Sequence, residues 1–98
     1  MNELPSIGTV VQSKAGRDAG RFFMVLGHLD AQHVLTVDGR LRRLDRPKKK
    51  KVKHLSIKPV CLMEIQEKIV NGKCVFDAEI RSELEKAGYG PCASNKEA

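Results

Sequence analysis

The residues with the clearest capacity for chemistry lie in one stretch, Arg40 to His54, which reads RLRRLDRPKKKKVKH. It contains nine Lys or Arg residues, one Asp and one His in fifteen positions. Ammonium and guanidinium groups bind phosphate oxygens, and a protein that neutralises several phosphates gains affinity by releasing their counterions. The stretch is therefore predicted to be a contact surface for a polyanion.

The positive charge is local to the middle of the chain. The 98 residues carry a net charge of +6. Residues 14–58 hold thirteen basic and four acidic residues, a net +9, whereas residues 1–13 carry −1 and residues 59–98 carry −2. Because an ordinary solvated surface mixes charges of both signs, this clustering favours a functional interpretation. The segment PKKKKVK also fits a nuclear-localisation signal, which does not exclude RNA binding.

Catalytic and metal-binding patterns are missing from the sequence. No nucleophile–base pair, paired-carboxylate site or phosphate-cradling Walker loop can be assembled, so we expect no enzyme activity, no cofactor and no small-molecule substrate. Cys61, Cys74 and Cys92 are an odd number without a CxxC pair, and no histidine lies at metal-like spacing. This pattern predicts neither a disulfide framework nor a metal site, and it favours a reducing compartment. Cys61 and Cys74 are predicted to be small buried hydrophobes.

Targeting and membrane signals are also missing. The start of the chain, MNELPSIGTVVQ, lacks the basic residues and apolar stretch of a signal peptide. No apolar run approaches the roughly 18–20 residues that a membrane span requires. We therefore expect a cytoplasmic protein without a membrane partner.

The elements that position the basic stretch are predicted to be short strands. Runs rich in β-forming residues indicate strands at 7–12, 21–29 and 33–37, and Gly27 allows a bend or bulge in the second. Residues 13–20 form a loop in which Gly16 and Gly20 take unusual backbone angles. Asp38-Gly39 is typical of a type I′ hairpin turn, with Gly39 as a structural glycine, and predicts a fourth strand at 41–44 that Pro47 ends.

The lysines after Pro47 repel one another, so residues 48–51 are predicted to be an exposed loop. A fifth strand follows at 52–57, and Pro59 ends it. Five short strands with glycine-bearing turns indicate a small antiparallel barrel, because closure removes the exposed edges. The fold class predicted is therefore mainly β.

The C-terminal part has helical periodicity. Leu62, Met63, Ile65, Ile69 and Val70 lie at helical spacing before Asn71-Gly72, although a strand through 62–65 remains open. Residues 77–87 form the clearest helix, with Asp77 as its N-cap and Gly88 beyond its end. The predicted organisation is a barrel at 1–58, a helical extension packed on it at 59–89 and a flexible tail at 90–98, all in one compact domain.

Residues 16–26, GRDAGRFFMVL, followed by HVLTVDG, resemble the KOW motif of ribosomal proteins and transcription elongation factors. Gly20 falls at the signature glycine of the motif, and Phe23 stands where many such motifs have a second glycine. The order of VDG, a basic stretch, KHL and DAEIRSEL is similar to the eukaryotic-type large-subunit ribosomal protein fourteen family, over roughly residues 7–87. The resemblance implies an SH3-like barrel that binds RNA, commonly ribosomal RNA, without catalysis.

The resemblance implies that Lys14, Arg17 and Arg21 approach phosphates beside Gly20. Together with the basic stretch, they complete the predicted RNA-binding set: Lys14, Arg17, Arg21, Arg40, Arg42, Arg43, Arg46, Lys48, Lys49, Lys50, Lys51, Lys53 and His54. His28 and His33 are interpreted as ordinary strand residues. The alternative for Arg17 and Arg21 is that they only solvate a turn.

The four aromatic residues, Phe22, Phe23, Phe76 and Tyr89, are predicted to pack in the core rather than stack on bases. Recognition should then depend on phosphate contacts and RNA shape. Two alternatives remain: a DNA-binding or transcription-elongation module, and an SH3-like module that binds peptides. The scarcity of aromatic residues disfavours the peptide-binding alternative.

Overall fold

The computed structural model describes residues 4–89, which form a five-stranded antiparallel sheet followed by two helices. The mainly β class is confirmed. A 3₁₀ turn, Val52–His54, joins the fourth and fifth strands. The elements are β1 (Thr9–Ser13), β2 (Phe22–His28), β3 (His33–Val37), β4 (Lys48–Lys51), β5 (Leu55–Cys61), α1 (Met63–Val70) and α2 (Asp77–Lys86).

The five strands form one sheet whose edges do not pair with each other, so the predicted barrel describes it only loosely. Its strand order is β4-β3-β2-β1-β5, which leaves β4 and β5 as the two edges. A 3₁₀ turn connects these edge strands instead of a hairpin, so they are not aligned as a ladder. The sheet is strongly curled. Lys50 on β4 donates a hydrogen bond to Ser13 on β1, although two strands, β3 and β2, lie between them in the sheet.

Both faces of the sheet are covered by apolar side chains. Alternating residues of β1 and β2 point to opposite faces, so Val11 and Phe23 enter one cluster while Val10 and Met24 enter the other. The helices cover the second face, where Ile65 of α1 and the α2 residues Ile80 and Leu84 pack. A strand buried on both sides needs a nearly continuous apolar sequence, which explains the FFMVL run of β2.

The first three strands agree with the sequence prediction. β2 and β3 shift register between Val25 and Gly27, as expected of a bulge next to glycine. Phe23, which departs from the glycine of the KOW resemblance, is fully buried. At this position the chain therefore uses a large side chain to fill the core.

The prediction of a hairpin at Asp38-Gly39 and of a strand at 41–44 is wrong. A type I′ turn needs positive φ at both central residues. Gly39 has φ +77°, but glycines alone have positive φ in the described part of the chain. The Asp38 carboxylate instead accepts the N–H groups of Arg40 and Arg42, both at 2.9 Å. This local bonding competes with a strand ladder and folds residues 38–47 into an irregular loop.

The lysine run is a strand rather than the predicted exposed loop. Lys48 to Lys51 pair with residues 33–36 of β3. Repulsion within the run is reduced because successive strand residues point to opposite faces. Lysines on an edge strand also discourage pairing with other chains.

The fifth strand, predicted at residues 52–57, begins and ends later in the chain than the sequence prediction. Residues 52–54 form the 3₁₀ turn, and β5 begins at Leu55. The strand continues through Pro59 to Cys61. Proline is compatible with this strand because β5 is an edge and one side of its backbone needs no partner.

The helical prediction is confirmed for both segments, and the strand alternative for 62–65 is wrong. Phe76 rather than Asp77 is the N-cap position of α2, and the Asp77 carboxylate accepts the backbone N–H of Leu44. The Glu79 carboxylate accepts the backbone N–H of Phe76 at 3.0 Å. Within residues 4–89, no helix has the length and apolar character needed to cross a membrane. The predicted tail at 90–98, including Cys92, lies outside the described residues.

Candidate nucleic-acid interface

The loop between β1 and β2, residues 14–21, is called the first loop. Gly20 donates its N–H to the Ser13 carbonyl at 2.8 Å, and Ser13 donates to the Arg21 carbonyl at 2.9 Å. Two turns follow one another between these bonds, with Gly16 at φ +79° and Gly20 at φ +89°. The positions predicted for structural glycines therefore have the backbone angles that favour glycine.

The loop between β3 and β4, residues 38–47, is called the arginine loop, and it is docked on α2. Arg81 donates to the Gly39 carbonyl at 2.7 Å, and Arg40 pairs with Glu85 at 2.6 Å. Gly39 approaches the helix so closely that a Cβ atom there would lie 2.5 Å from the Asp77 carbonyl oxygen. The close approach and the positive φ both require glycine at this position.

An ion pair joins the two loops. The Asp18 carboxylate, with only 5% of its side chain exposed, accepts bonds from the Arg42 guanidinium at 3.0 and 3.2 Å. A buried carboxylate needs such a partner to offset its lost hydration. Arg42 therefore joins the two loops and, like Arg40, forms an ion pair with a carboxylate of the protein.

Two further hydrogen bonds bring β4 to the end of β1 and the 3₁₀ turn to the start of the first loop. The Lys50 ammonium donates to the Ser13 hydroxyl at 3.2 Å. The backbone N–H of Lys14 donates to the His54 carbonyl at 2.9 Å. The structure thus brings together basic residues that are separated by up to forty positions in the sequence.

Most of the predicted RNA-binding side chains are available to a ligand. Arg40 and Arg42 are the exceptions, because each pairs with a carboxylate. Within the part of the chain that the structure describes, the other side chains of the predicted set form no ion pair: Lys14, Arg17, Arg21, Arg43, Arg46, Lys48, Lys49, Lys50, Lys51, Lys53 and His54. Lys50 and Lys51 are half-buried, and the others are exposed.

The lysines of β4 point to two sides of the sheet edge. Their pairing places Lys48 and Lys50 on the face of Thr36 and Val34, and Lys49 and Lys51 on the opposite face. The lysine strand is therefore a positively charged rim rather than a flat patch. Lysines from both faces of the sheet can therefore reach a polyanion that lies along this rim.

One basic residue of the positively charged segment lies outside the predicted set. Lys58 on β5 is the single Lys or Arg of residues 14–58 outside the predicted set, and its ammonium lies 6.0 Å from the centre of the Phe22 ring. Phe22 also packs against Tyr89, with 4.9 Å between ring centres. The sequence signal that could place Lys58 is the continuation of side-chain alternation in β5 beyond Ile57.

The remaining sequence interpretations of side chains have mixed outcomes. Phe23 is buried and Phe22 and Tyr89 are half-buried, but Phe76 is 65% exposed at the start of α2, so its core assignment is wrong. Cys61 is half-buried, whereas Cys74 is exposed and contradicts the prediction of burial. The start of α2 needs a residue with extended backbone, and Phe76 meets that need without entering the core.

The helical side of the molecule has the opposite charge. Residues 59–89 contain four basic and six acidic residues. A groove between α1 and α2 is lined by three glutamates, Glu64, Glu79 and Glu83, together with Lys68. The Lys68–Glu79 ion pair lowers the pKa of Glu79 and raises the pKa of Lys68. A polyanion is therefore repelled from this side and attracted to the lysine strand and the first loop.

Ligand groups for a metal ion do not cluster: in residues 4–89, no three His, Cys, Asp or Glu side chains are grouped closely enough to hold one. No protein-family model matches the chain, and no curated protein matches it.

Proposed function

We propose that the protein is a non-enzymatic RNA-binding protein that acts in the cytoplasm and associates with ribosomal RNA or with ribosomes. The observation that carries this proposal is the convergence of the first loop, β4 and the 3₁₀ turn through the Lys50–Ser13 and Lys14–His54 hydrogen bonds. Their cations have no carboxylate partner within residues 4–89, so they retain their capacity for phosphates.

RNA is favoured over other polyanions by the shape of the surface. The cations follow a curved edge and two loops rather than an exposed helix of the kind that enters the DNA major groove. Phe23 is buried, Phe22 and Tyr89 are half-buried, and the exposed Phe76 lies at the start of α2, so the aromatic residues offer few platforms for splayed bases beside the basic surface. These features support recognition through phosphates and the form of a folded RNA. The ribosomal association rests on the resemblance to the KOW and ribosomal protein families.

The test compares a structured RNA hairpin with duplex DNA of equal length, using fluorescence anisotropy at several salt concentrations. If about five side chains contact phosphates, the log-log salt slope is near −4, and affinity falls roughly 10²–10³-fold between 50 and 200 mM salt. We expect the hairpin to bind more tightly than the duplex DNA at each concentration. Equal or tighter binding to DNA would favour the transcription-elongation alternative, and no binding to either would leave the peptide-binding alternative.

Crosslinking in cells identifies the RNA. Sequencing of the RNA recovered with the crosslinked protein should return ribosomal RNA above background. Recovery of no RNA above background would contradict the proposal.

A further inference from the structure

Lys50 differs from the other three lysines of β4 in its surroundings. We propose that the Lys50 ammonium, together with the backbone N–H groups of Ala15, Gly16 and Arg17, binds one phosphodiester group of the RNA backbone. This inference rests on the proposed function and assigns one phosphate of that RNA to a defined group of donors.

The Lys50 ammonium is bonded to a neutral hydroxyl group rather than to a carboxylate. The Lys50 side chain is half-buried, and its ammonium donates to the Ser13 hydroxyl, which in turn donates to the Ala15 carbonyl at 3.0 Å. An ammonium has three donors. No carboxylate lies within ion-pair distance of Lys50 in residues 4–89. A partly desolvated cation of this kind is stabilised by an anion placed beside it.

The backbone of the first loop at Gly16 lies next to the Lys50 ammonium. A Cβ atom on Gly16 would lie 3.9 Å from the Lys50 nitrogen, so the ammonium lies against the backbone of the first loop. The N–H groups of Ala15, Gly16 and Arg17 donate to no acceptor among the described residues. Successive free amides beside a cation are the donors that commonly bind phosphate oxygens in proteins.

The site is continuous with the basic surface, which favours an internal phosphodiester over a terminal phosphate. Lys14 and Arg17 on the first loop are exposed, and Lys48 lies on the same face of β4 as Lys50. A nucleic-acid backbone that passes Lys50 therefore meets further cations on both sides. A terminal phosphate would use these neighbours on one side only.

The proposed site makes Lys50 more important for binding than an exposed lysine. A charge-assisted hydrogen bond in a partly desolvated site corresponds to roughly a tenfold to hundredfold effect on affinity. A surface charge pair corresponds to about fivefold or less. The comparison between Lys50 and Lys48 therefore separates a defined site from general attraction.

The experiment uses Lys50→Gln, which retains a donor for the Ser13 hydroxyl and removes the charge, and Lys48→Gln as the matched control on the same face. Affinity for an RNA hairpin is measured in 100 mM salt, and thermal unfolding checks that both variants are folded. We expect Lys50→Gln to weaken binding at least about tenfold and Lys48→Gln about fivefold or less. Hairpins with a 5′-phosphate and a 5′-hydroxyl should bind equally, because the site takes an internal phosphodiester.

A spectroscopic measurement tests the amides directly. In ¹⁵N-labelled wild-type protein, addition of the hairpin should shift the Gly16 and Arg17 amide resonances, and Lys50→Gln should reduce those shifts more than Lys48→Gln does. The proposal is overturned if the two variants bind the hairpin equally, if these amides do not move, or if the 5′-phosphate is required. If Lys50→Gln does not fold, the wild-type amide shifts alone decide.

The same spectra separate this inference from the proposed function. If the wild-type protein binds no RNA, the proposed function fails. Titration with inorganic phosphate then shows whether the local site exists: movement of the Gly16 and Arg17 amides supports an anion site for another ligand, and unmoved amides refute the site as well.

Discussion

The arginine loop and the lysine strand are adjacent in the sequence and similarly basic, yet the protein uses their cations differently. Arg40 pairs with Glu85 and Arg42 pairs with Asp18, and the arginine loop that contains them is docked on α2. The lysines of β4 form no ion pair in the described part of the chain, although Lys50 donates to a hydroxyl group. Charge density alone therefore does not distinguish a cation that stabilises the fold from one that is free to bind a ligand.

The largest effect expected is at the base of the arginine loop. Gly39→Ala places a Cβ atom 2.5 Å from the Asp77 carbonyl oxygen and keeps a positive φ on an L-residue. Strain and overpacking together should lower the free energy of unfolding by about 4 kcal/mol. Thermal and urea unfolding measure this loss. The matched control is Gly20→Ala, which has similar φ but no atom within 4 Å of the new Cβ, and should cost about 1–2 kcal/mol. Equal losses would contradict close docking of the arginine loop on α2.

The next largest effect is on RNA affinity and tests the lysine strand. Replacing Lys48, Lys49 and Lys51 with Ser, while keeping Lys50, removes three charges that no carboxylate neutralises within residues 4–89. Hairpin affinity should fall about 100-fold in 0.1 M salt, and the salt slope should flatten by roughly 3.

The control for the lysine variant changes charge on the helical side. Lys73 and Lys86, replaced together with Ser, lie in the acidic part of the chain and should leave affinity within about threefold, because exposed charges are screened over roughly 10 Å at 0.1 M salt. Similar losses in the two variants would show that net charge, rather than the lysine strand, governs binding.

A smaller effect separates two neighbouring arginines. Arg42→Ala leaves the buried Asp18 carboxylate without its partner, and since Arg42 is itself 30% exposed we expect a loss of about 2 kcal/mol in unfolding free energy. Arg43→Ala is the control, because Arg43 is exposed and forms no ion pair in the described residues. Arg43→Ala should leave stability within about 0.5 kcal/mol and flatten the RNA salt slope by about 0.9. The reverse result, in which Arg43→Ala lowers stability and Arg42→Ala only weakens RNA binding, would contradict the assignment of Arg42 as a structural cation and Arg43 as a binding cation.

The sequence predicted the parts of this molecule that depend on local pattern. The apolar run of β2, the bulge at Gly27 and both helices follow from periodicity and turn residues, because each depends on neighbours along the chain. The cation-rich segments were also identified, since charge is visible without structure.

The predictions that failed depended on long-range contacts. Asp38-Gly39 has the local signature of a hairpin, but Gly39 is instead needed for contact with a helix about forty residues later. The lysine run is unfavourable as an isolated strand, and pairing with β3 decides its conformation. Local charge patterns likewise cannot show that Asp18 binds Arg42, because the partners lie 24 positions apart. The three-dimensional structure is therefore needed to distinguish the cations that stabilise the fold from those that are available to a ligand.

The smallest effect concerns the other arginine that pairs with a carboxylate. Arg40 and Glu85 are about equally exposed, at 40% and 44% of their side chains, so solvent screens their attraction in spite of the 2.6 Å contact. Arg40→Ala should therefore lower the unfolding free energy by about 0.5 kcal/mol, and a double-mutant cycle with Glu85→Ala should give a coupling of similar size that decreases in 1 M salt. If Arg40 is also free to leave Glu85 for a phosphate, Glu85→Ala should tighten hairpin binding slightly. A coupling above about 2 kcal/mol, or one insensitive to salt, would show that Arg40 belongs with Arg42 as a fixed structural residue.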